Sequence, residues 1–156
     1  MRKLLDFIRF LIVSPEVIVG LAVYLLFVIK PDIFKFISAH LFIANMEWTD
    51  YAKLLGIPLT SLGLTYTFGE SILNPQDRDN RKSLKEWPDY WMLKNRIYYS
   101  LVISIIALIG SLFSWYYALN VDFVDGTLCL MIFWSTSLVS LLTVSLAKLS
   151  IKDILY

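Results

Sequence analysis

One cysteine, Cys129, and one histidine, His40, are all that this 156-residue chain offers of the two side chains most used for metal and nucleophile chemistry. A single thiol forms no disulfide within the chain, and a zinc site built from Cys and His of one chain is excluded by count. Charge is scarce too: 17% of residues are Asp, Glu, Lys or Arg, against ~25% in an average soluble domain. The net charge of +1 comes with no basic stripe of the kind that binds nucleic acid, so no nucleic-acid partner is expected. There is no GxxxxGK[ST] loop, no GxGxxG turn and no HExxH helix. A Ser-His-Asp arrangement would have to use His40, and no nucleophile can be placed beside it. The expectation is a protein that is not an enzyme and holds neither cofactor nor metal.

Apolar surface is what the chain has in excess, at 58% hydrophobic residues against ~45–50% in ordinary domains. A soluble chain so composed would expose large apolar patches and associate. With a bilayer as solvent that difficulty disappears. The expected fold is therefore an all-α integral membrane protein, one unit over residues 1–156, with four transmembrane helices and short interfacial helices.

Residues 2–13 read as an amphipathic interfacial helix. Leu4, Leu5, Ile8, Leu11 and Ile12 share a face, and Arg2, Lys3, Asp6 and Arg9 surround it. Asp6 and Arg9 interrupt the apolar run and no small-x-small cleavage site follows, so the first span is expected to be retained. Ser14-Pro15-Glu16 is a helix start, with Ser as cap and Pro at the first helical position. The first span, about 15–30, closes at Lys30-Pro31-Asp32. Ile33, Phe36, Ile37, His40, Leu41 and Ala44 are spaced like one face of a second interfacial helix, on the other side of the membrane. Residues 52–73 contain Lys53, Pro58 and Glu70 among three glycines; a kinked crossing is expected there, with a re-entrant hairpin as the alternative. Residues 74–96 form a polar loop, from which Pro88 opens a helix running through Tyr90, Trp91 and Leu93 into the third span, 97–119. The fourth span, 127–147, stops at Lys148.

Lysine and arginine orient the chain. With four crossings and a cytoplasmic N-terminus, eleven of the 14 basic residues lie inside. Only Lys30, Lys35 and Lys53 lie outside. Both termini and the loop 74–96 are thus expected in the cytoplasm. The aromatic residues agree: Trp87, Trp91, Tyr98 and Tyr99 mark the inner boundary, and Trp48, Tyr51, Trp115, Tyr116 and Tyr117 the outer one.

Three patterns are candidates for function. Ser100, Ser104, Ala107, Ser111, Ser114 and Ala118 recur at steps of three and four in the third span, and Cys129, Thr136, Ser140, Thr143 and Ala147 follow helical spacing in the fourth. Such stripes either line a pore assembled from several subunits or let helices pack closely. Packing is favoured, because a serine hydroxyl can bond its own helix and needs no water. In the second span Ala52, Gly56, Gly63 and Thr67 share a face with Glu70. An intramembrane carboxylate is a functional candidate, although one so near the cytoplasmic end can equally serve as an ion pair or cap. The loop carries Arg78, Arg81, Lys82, Lys85, Trp87, Tyr90 and Trp91 among several acids. Trp, Tyr and Arg dominate protein interfaces, so the loop is the candidate contact for a cytosolic partner; the alternative is a headgroup-anchored helix facing anionic lipid.

In size, span number and cytoplasmic loop the chain resembles the small four-span membrane subunits of bacterial antiviral systems, such as the KwaA subunit of Kiwa. The resemblance lies in layout, not in a motif. It implies a component of the bacterial inner membrane that assembles with itself and tethers a cytosolic effector through residues 75–96, as sensor or anchor. The expected function is thus a non-enzymatic homo-oligomeric membrane subunit. A homo-oligomeric channel or membrane-permeabilising effector is the alternative.

Overall fold

The computed structural model describes residues 14–41, 48–75, 82 and 84–155. The expected interfacial helix 2–13, Ala44, Arg78 and Arg81 lie outside the described residues. Among the described residues the chain is all-helical, with no strand. Its main helices are α1 (Pro15–Ile29), α2 (Pro31–Leu41), α3 (Trp48–Leu73), α4 (Tyr90–Asn120) and α5 (Phe123–Leu155). Helices α4 and α5 are each long and apolar enough to cross a membrane, and α1 with α2 makes a third candidate if the pair is taken as one bent span.

The bend between α1 and α2 is 102°, and Pro31 causes it. Proline brings no N–H to the helical ladder and pushes the residue before it out of the helical region. Lys30 accordingly sits at φ −136°, ψ 68°, while its N–H still donates to Leu26 O at 2.9 Å. Phe27 and Phe34 meet edge-to-face across the bend with ring centroids 5.2 Å apart. On α2, Phe34, Ile37, Ser38 and Leu41 turn inward, whereas Ile33, Phe36 and His40 are exposed. The single face expected for this helix is split because α2 rests mainly on α5 and on α1. His40 bonds through Nδ1 to Phe36 O of its own helix at 2.8 Å.

Helix α3 runs unbroken through Pro58 for 26 residues, about 39 Å at the usual rise. It is one continuous helix and not a hairpin. It is long enough to cross a bilayer but is not among the helices apolar enough to do so. The uncharged stretches 97–119 and 127–147 are the centres of longer helices, because α4 already starts at Tyr90 and α5 continues to Leu155. Between them, Asp122 caps α5: Oδ1 accepts the Val124 and Asp125 N–H groups at 2.7 and 3.2 Å. Gly126 then lets the two backbones meet. A Cβ there would lie 2.6 Å from Ala118 Cα and 2.9 Å from Ala118 N.

Helix α5 packs against each of the other four and is the axis of the bundle. At one end Ile72, Leu84, Ile97, Val144 and Ile151 form an apolar cluster with Trp87 and Tyr90 packed on it. At the other end Leu54, Ala118 and Leu130 gather with Leu41, Trp115 and Trp134. Helices α3, α4 and α5 therefore alternate in direction, and the loop after α3 lies at the first end. Between the clusters the interior is small and polar. Among the described residues twelve buried side chains are polar or charged against eleven hydrophobic ones, while Leu25, Val102, Phe113, Leu142 and Leu146 are exposed. A bundle that turns hydroxyls inward and branched aliphatics outward suits an apolar solvent.

The glycines separate by surroundings. A Cβ on Gly110 would run into the Phe133 ring, whereas one on Gly56 meets nothing within 4 Å. Gly126→Ala and Gly110→Ala should each lower stability in detergent by about 1–3 kcal/mol. Gly56→Ala, read in the same unfolding titration, should be neutral or slightly stabilising.

Candidate functional site

An acid in the first turn of a helix ordinarily faces out and complements the helix dipole. Glu16 occupies that position in α1 but turns inward and is 1% exposed. Arg96, two turns into α4, donates from Nη2 to Glu16 Oε1 at 2.6 Å. The Ser140 hydroxyl of α5 donates to the same oxygen at 3.2 Å. Oε2 of Glu16, equally buried, has no hydrogen-bond partner. Arg96 also lies 5.4 Å from the centre of the Tyr99 ring, and the Tyr99 and Ser14 hydroxyls are 3.2 Å apart.

Ser14 stands at the N-cap, and its carbonyl accepts the Val17 and Ile18 N–H groups at 3.1 and 3.2 Å. Its side chain makes no capping bond, contrary to the expectation from sequence. The Tyr99 hydroxyl of α4 draws it away. Both side chains of the helix start are therefore spent on tertiary contacts, and together they join α1 to α4 and α5. A trench of about 390 Å³ remains between these three helices. Glu16 and Thr136 line it along with Gly20, Tyr24, Ile106 and Phe133.

Ser100, Ser104, Ser111 and Ser114 of α4 are buried; the last three bond their own helix, Ser104 to Ser100 O at 2.9 Å, Ser111 to Ala107 O at 2.7 Å and Ser114 to Gly110 O at 2.7 Å, while the Ser100 hydroxyl has no hydrogen-bond partner among the described residues. Thr136 and Thr143 of α5 are half-buried and do the same, to Phe133 O at 3.0 Å and Ser140 O at 2.9 Å. Only Ser140, of the α5 hydroxyls singled out by spacing, reaches Glu16. Ser61 of α3, not singled out by spacing, donates across to Ser137 O of α5 at 2.7 Å.

Gly56, Gly63 and Glu70 are not on the packed face of α3. That face is Leu54, Pro58, Ser61, Thr65, Gly69 and Ile72. Gly63, Thr67 and Glu70 are exposed, and a Cβ on Gly56 or Gly63 would meet nothing within 4 Å. Thr67 and Ser71 bond back to Gly63 O and Phe68 O at 2.6 and 2.8 Å. At the loop end, Trp87 and Tyr90 are half-buried on the apolar cluster. Lys82, Lys85 and Trp91 are exposed, Trp91 by 67%. Lys148 Nζ sits 4.5 Å above the centre of the Phe68 ring. Cys129 is a half-buried free thiol. Among the described residues no group of three His, Cys, Asp or Glu could hold a metal ion.

The spacing of residues does not announce the pairing of Glu16 with Arg96: Glu16 reads as part of a helix start and Arg96 as the last basic residue of the loop 74–96. A signal was nevertheless present, since opposite charges flank two spans at the same end of the bundle.

No protein-family model matches the chain, and no curated protein or solved structure is significantly similar to it.

Removing one partner of a buried ion pair leaves the other charge unmatched and costs about 3–5 kcal/mol, whereas an apolar replacement of both is often near neutral. Arg96→Met and Glu16→Met, each alone, should therefore lower the unfolding free energy in detergent by about that amount. The double replacement Glu16→Met with Arg96→Met should recover most of the loss. Additive losses in this double-mutant cycle would show that the two side chains do not act as a pair.

Proposed function

We propose that the protein is a four-span, homo-oligomeric membrane subunit with both ends in the cytoplasm, which presents residues 75–96 to a cytosolic partner. The single observation that carries this is the outward face of α3. The helix is long enough to cross, yet it turns Thr60, Gly63, Thr67, Glu70 and Ser71 away from its own bundle. The face also exposes Leu59 and Tyr66, yet the Glu70 carboxylate makes it costly to place against lipid. Its small residues allow a second helix to approach closely, and a second copy of the chain supplies one. The alternation of α3, α4 and α5 leaves the loop beside the start of α4, and the Glu16–Arg96 pair holds the start of α1 at the same end, which supports the positive-inside orientation. Lys82, Lys85 and Trp91 are exposed there, while Trp87 and Tyr90 anchor the segment on the bundle. By layout we assign it to the small inner-membrane subunits of bacterial antiviral systems, as sensor or anchor.

The closed interior supports tethering over conduction within one copy. Ser104, Ser111 and Ser114, which could line a pore inside the bundle, are buried and bonded to their own helix. The outward face of α3 keeps the channel as the second reading: a ring of copies that left Thr67 and Glu70 uncovered would line a pore with them.

Three measurements test this proposal together. Reporters fused after Tyr156 and inserted at Lys82 should both be cytoplasmic, and an external signal from either would end the four-span arrangement. In a Cys129→Ser background, Gly63→Cys should cross-link copies in the membrane, while Gly63→Leu should shift the detergent-purified protein towards monomer. Purified protein in planar bilayers should show no conductance; a current altered by Glu70→Gln would establish the channel instead.

A further inference from the structure

We infer that the trench between α1, α4 and α5 binds one phospholipid with a primary ammonium headgroup, whose N–H groups meet Glu16 Oε2 and whose acyl chain lies along the trench. The inference rests on the membrane placement above, which puts the start of α1 in the headgroup layer.

The first support is the orphaned oxygen. Glu16 is 1% exposed, both of its donors go to Oε1, and Oε2 has none. A buried acceptor without a donor costs ~1–3 kcal/mol, and more when it is charged. A group that brings N–H donors to this point relieves that cost, and a charged donor does so most strongly.

The second support is shape. Glu16 stands at one end of α1, and Tyr24, eight residues on, also lines the trench, about 12 Å further along the helix rise. The wall between them is almost all carbon, contributed by Gly20, Leu21, Ile106 and Phe133. A volume of about 390 Å³ falls within the ~300–1,000 Å³ of ordinary ligand sites. One polar end on a long apolar trench is the outline of an amphiphile. Gly20 keeps the floor low: a Cβ there would touch Thr136 Cγ2 at 3.5 Å and Ile132 Cγ2 at 3.7 Å, so a longer side chain would enter the trench.

The third support is charge. Arg96 already balances Glu16, so the pair is neutral overall. It suits a headgroup that is itself neutral overall but offers N–H donors. A trimethylammonium headgroup has no N–H to give. An anionic headgroup would bring net negative charge beside a carboxylate. A water-soluble amine would leave the apolar wall unused.

Native mass spectrometry of the full chain in detergent, with one lipid added at a time, tests the inference. The probes are dioleoyl phosphatidylethanolamine, phosphatidylcholine and phosphatidylglycerol. Wild type should retain the ethanolamine lipid about tenfold more tightly than either of the others, the scale of one charge-assisted hydrogen bond. Glu16→Gln should lose that preference. Gly20→Leu, which changes neither Glu16 nor Arg96, should lose ethanolamine-lipid retention as well, and it decides the matter if Glu16→Gln does not fold. Equal retention of the three lipids by wild type, or a preference that survives Gly20→Leu, would overturn the site. Micelles have no sidedness, so this result is independent of the topology reporters. Failure here with cytoplasmic reporters removes only the lipid site.

Discussion

A carboxylate enclosed among helices has to be matched by a cation, and Arg96 is that cation for Glu16. Much of the local structure follows from this contact. Helix α1 has little backbone contact with α4; what joins them is the ion pair and the Ser14–Tyr99 hydroxyl contact beside it. Ser140 brings α5 to the same oxygen, so three helices are registered at one point. Below that point α1 and α4 diverge, and the trench is the space they leave. Buried pairs of this kind add little net stability over an apolar substitute. Their contribution is to fix one arrangement, because any slip of α1 along the bundle would strand a charge.

The hydroxyls follow the same rule in weaker form. Ser104, Ser111 and Ser114 each satisfy themselves one turn back on their own helix. That costs the bundle no space, and it lets α4 and α5 approach until Gly110 lies against the Phe133 ring and Gly126 against the Ala118 backbone. The apolar residues displaced from so small an interior appear outside. The distribution is the reverse of a soluble domain, where burial of large aliphatics drives folding. The helix hydrogen bonds and close packing left in their place are what hold helices together in lipid.

This explains which parts of the fold could be read from sequence. Helices α4 and α5 were legible because no charge interrupts their centres. The break at Pro31 was legible because proline acts locally. The packed face of α3 was not, because both of its faces carry small residues at helical spacing. The Gly56–Gly63–Glu70 stripe and the true inner stripe of Leu54, Pro58, Ser61, Thr65 and Gly69 are equally periodic. Only the neighbours decide between them. The site was less legible still. Glu16 and Arg96 are 80 positions apart, and each has a satisfactory local explanation, as a first-turn acid and as a loop basic. Comparing their depth, and not their sequence neighbourhoods, would have paired them. Ser140 was noticed for its spacing, but the carboxylate it serves comes from the first helix.

The outward face of α3 is where structure bears most directly on function. Inside the bundle Ser104, Ser111 and Ser114 bond their own helix, Ser61 bonds across to α5, Ser140 is drawn to Glu16, and the hydroxyls of Thr65, Ser100 and Ser137 are sealed from solvent, so a water path through a single copy is closed off. Any such path would have to form between copies, and α3 is the helix that offers a polar side for it. The same residues that would line a pore would, if pressed against a neighbour, instead seal the assembly. Thr67 and Ser71 already bond their own helix, so they can be covered without stranding a donor. Glu70 cannot be covered so cheaply, since a carboxylate needs a partner or water. Its place one turn from the end of α3, beside the basic loop, gives it access to either. Close contact over the glycines with Glu70 left at the wet rim is therefore the arrangement that satisfies every group on this face. Such an arrangement would suit the tether proposed above.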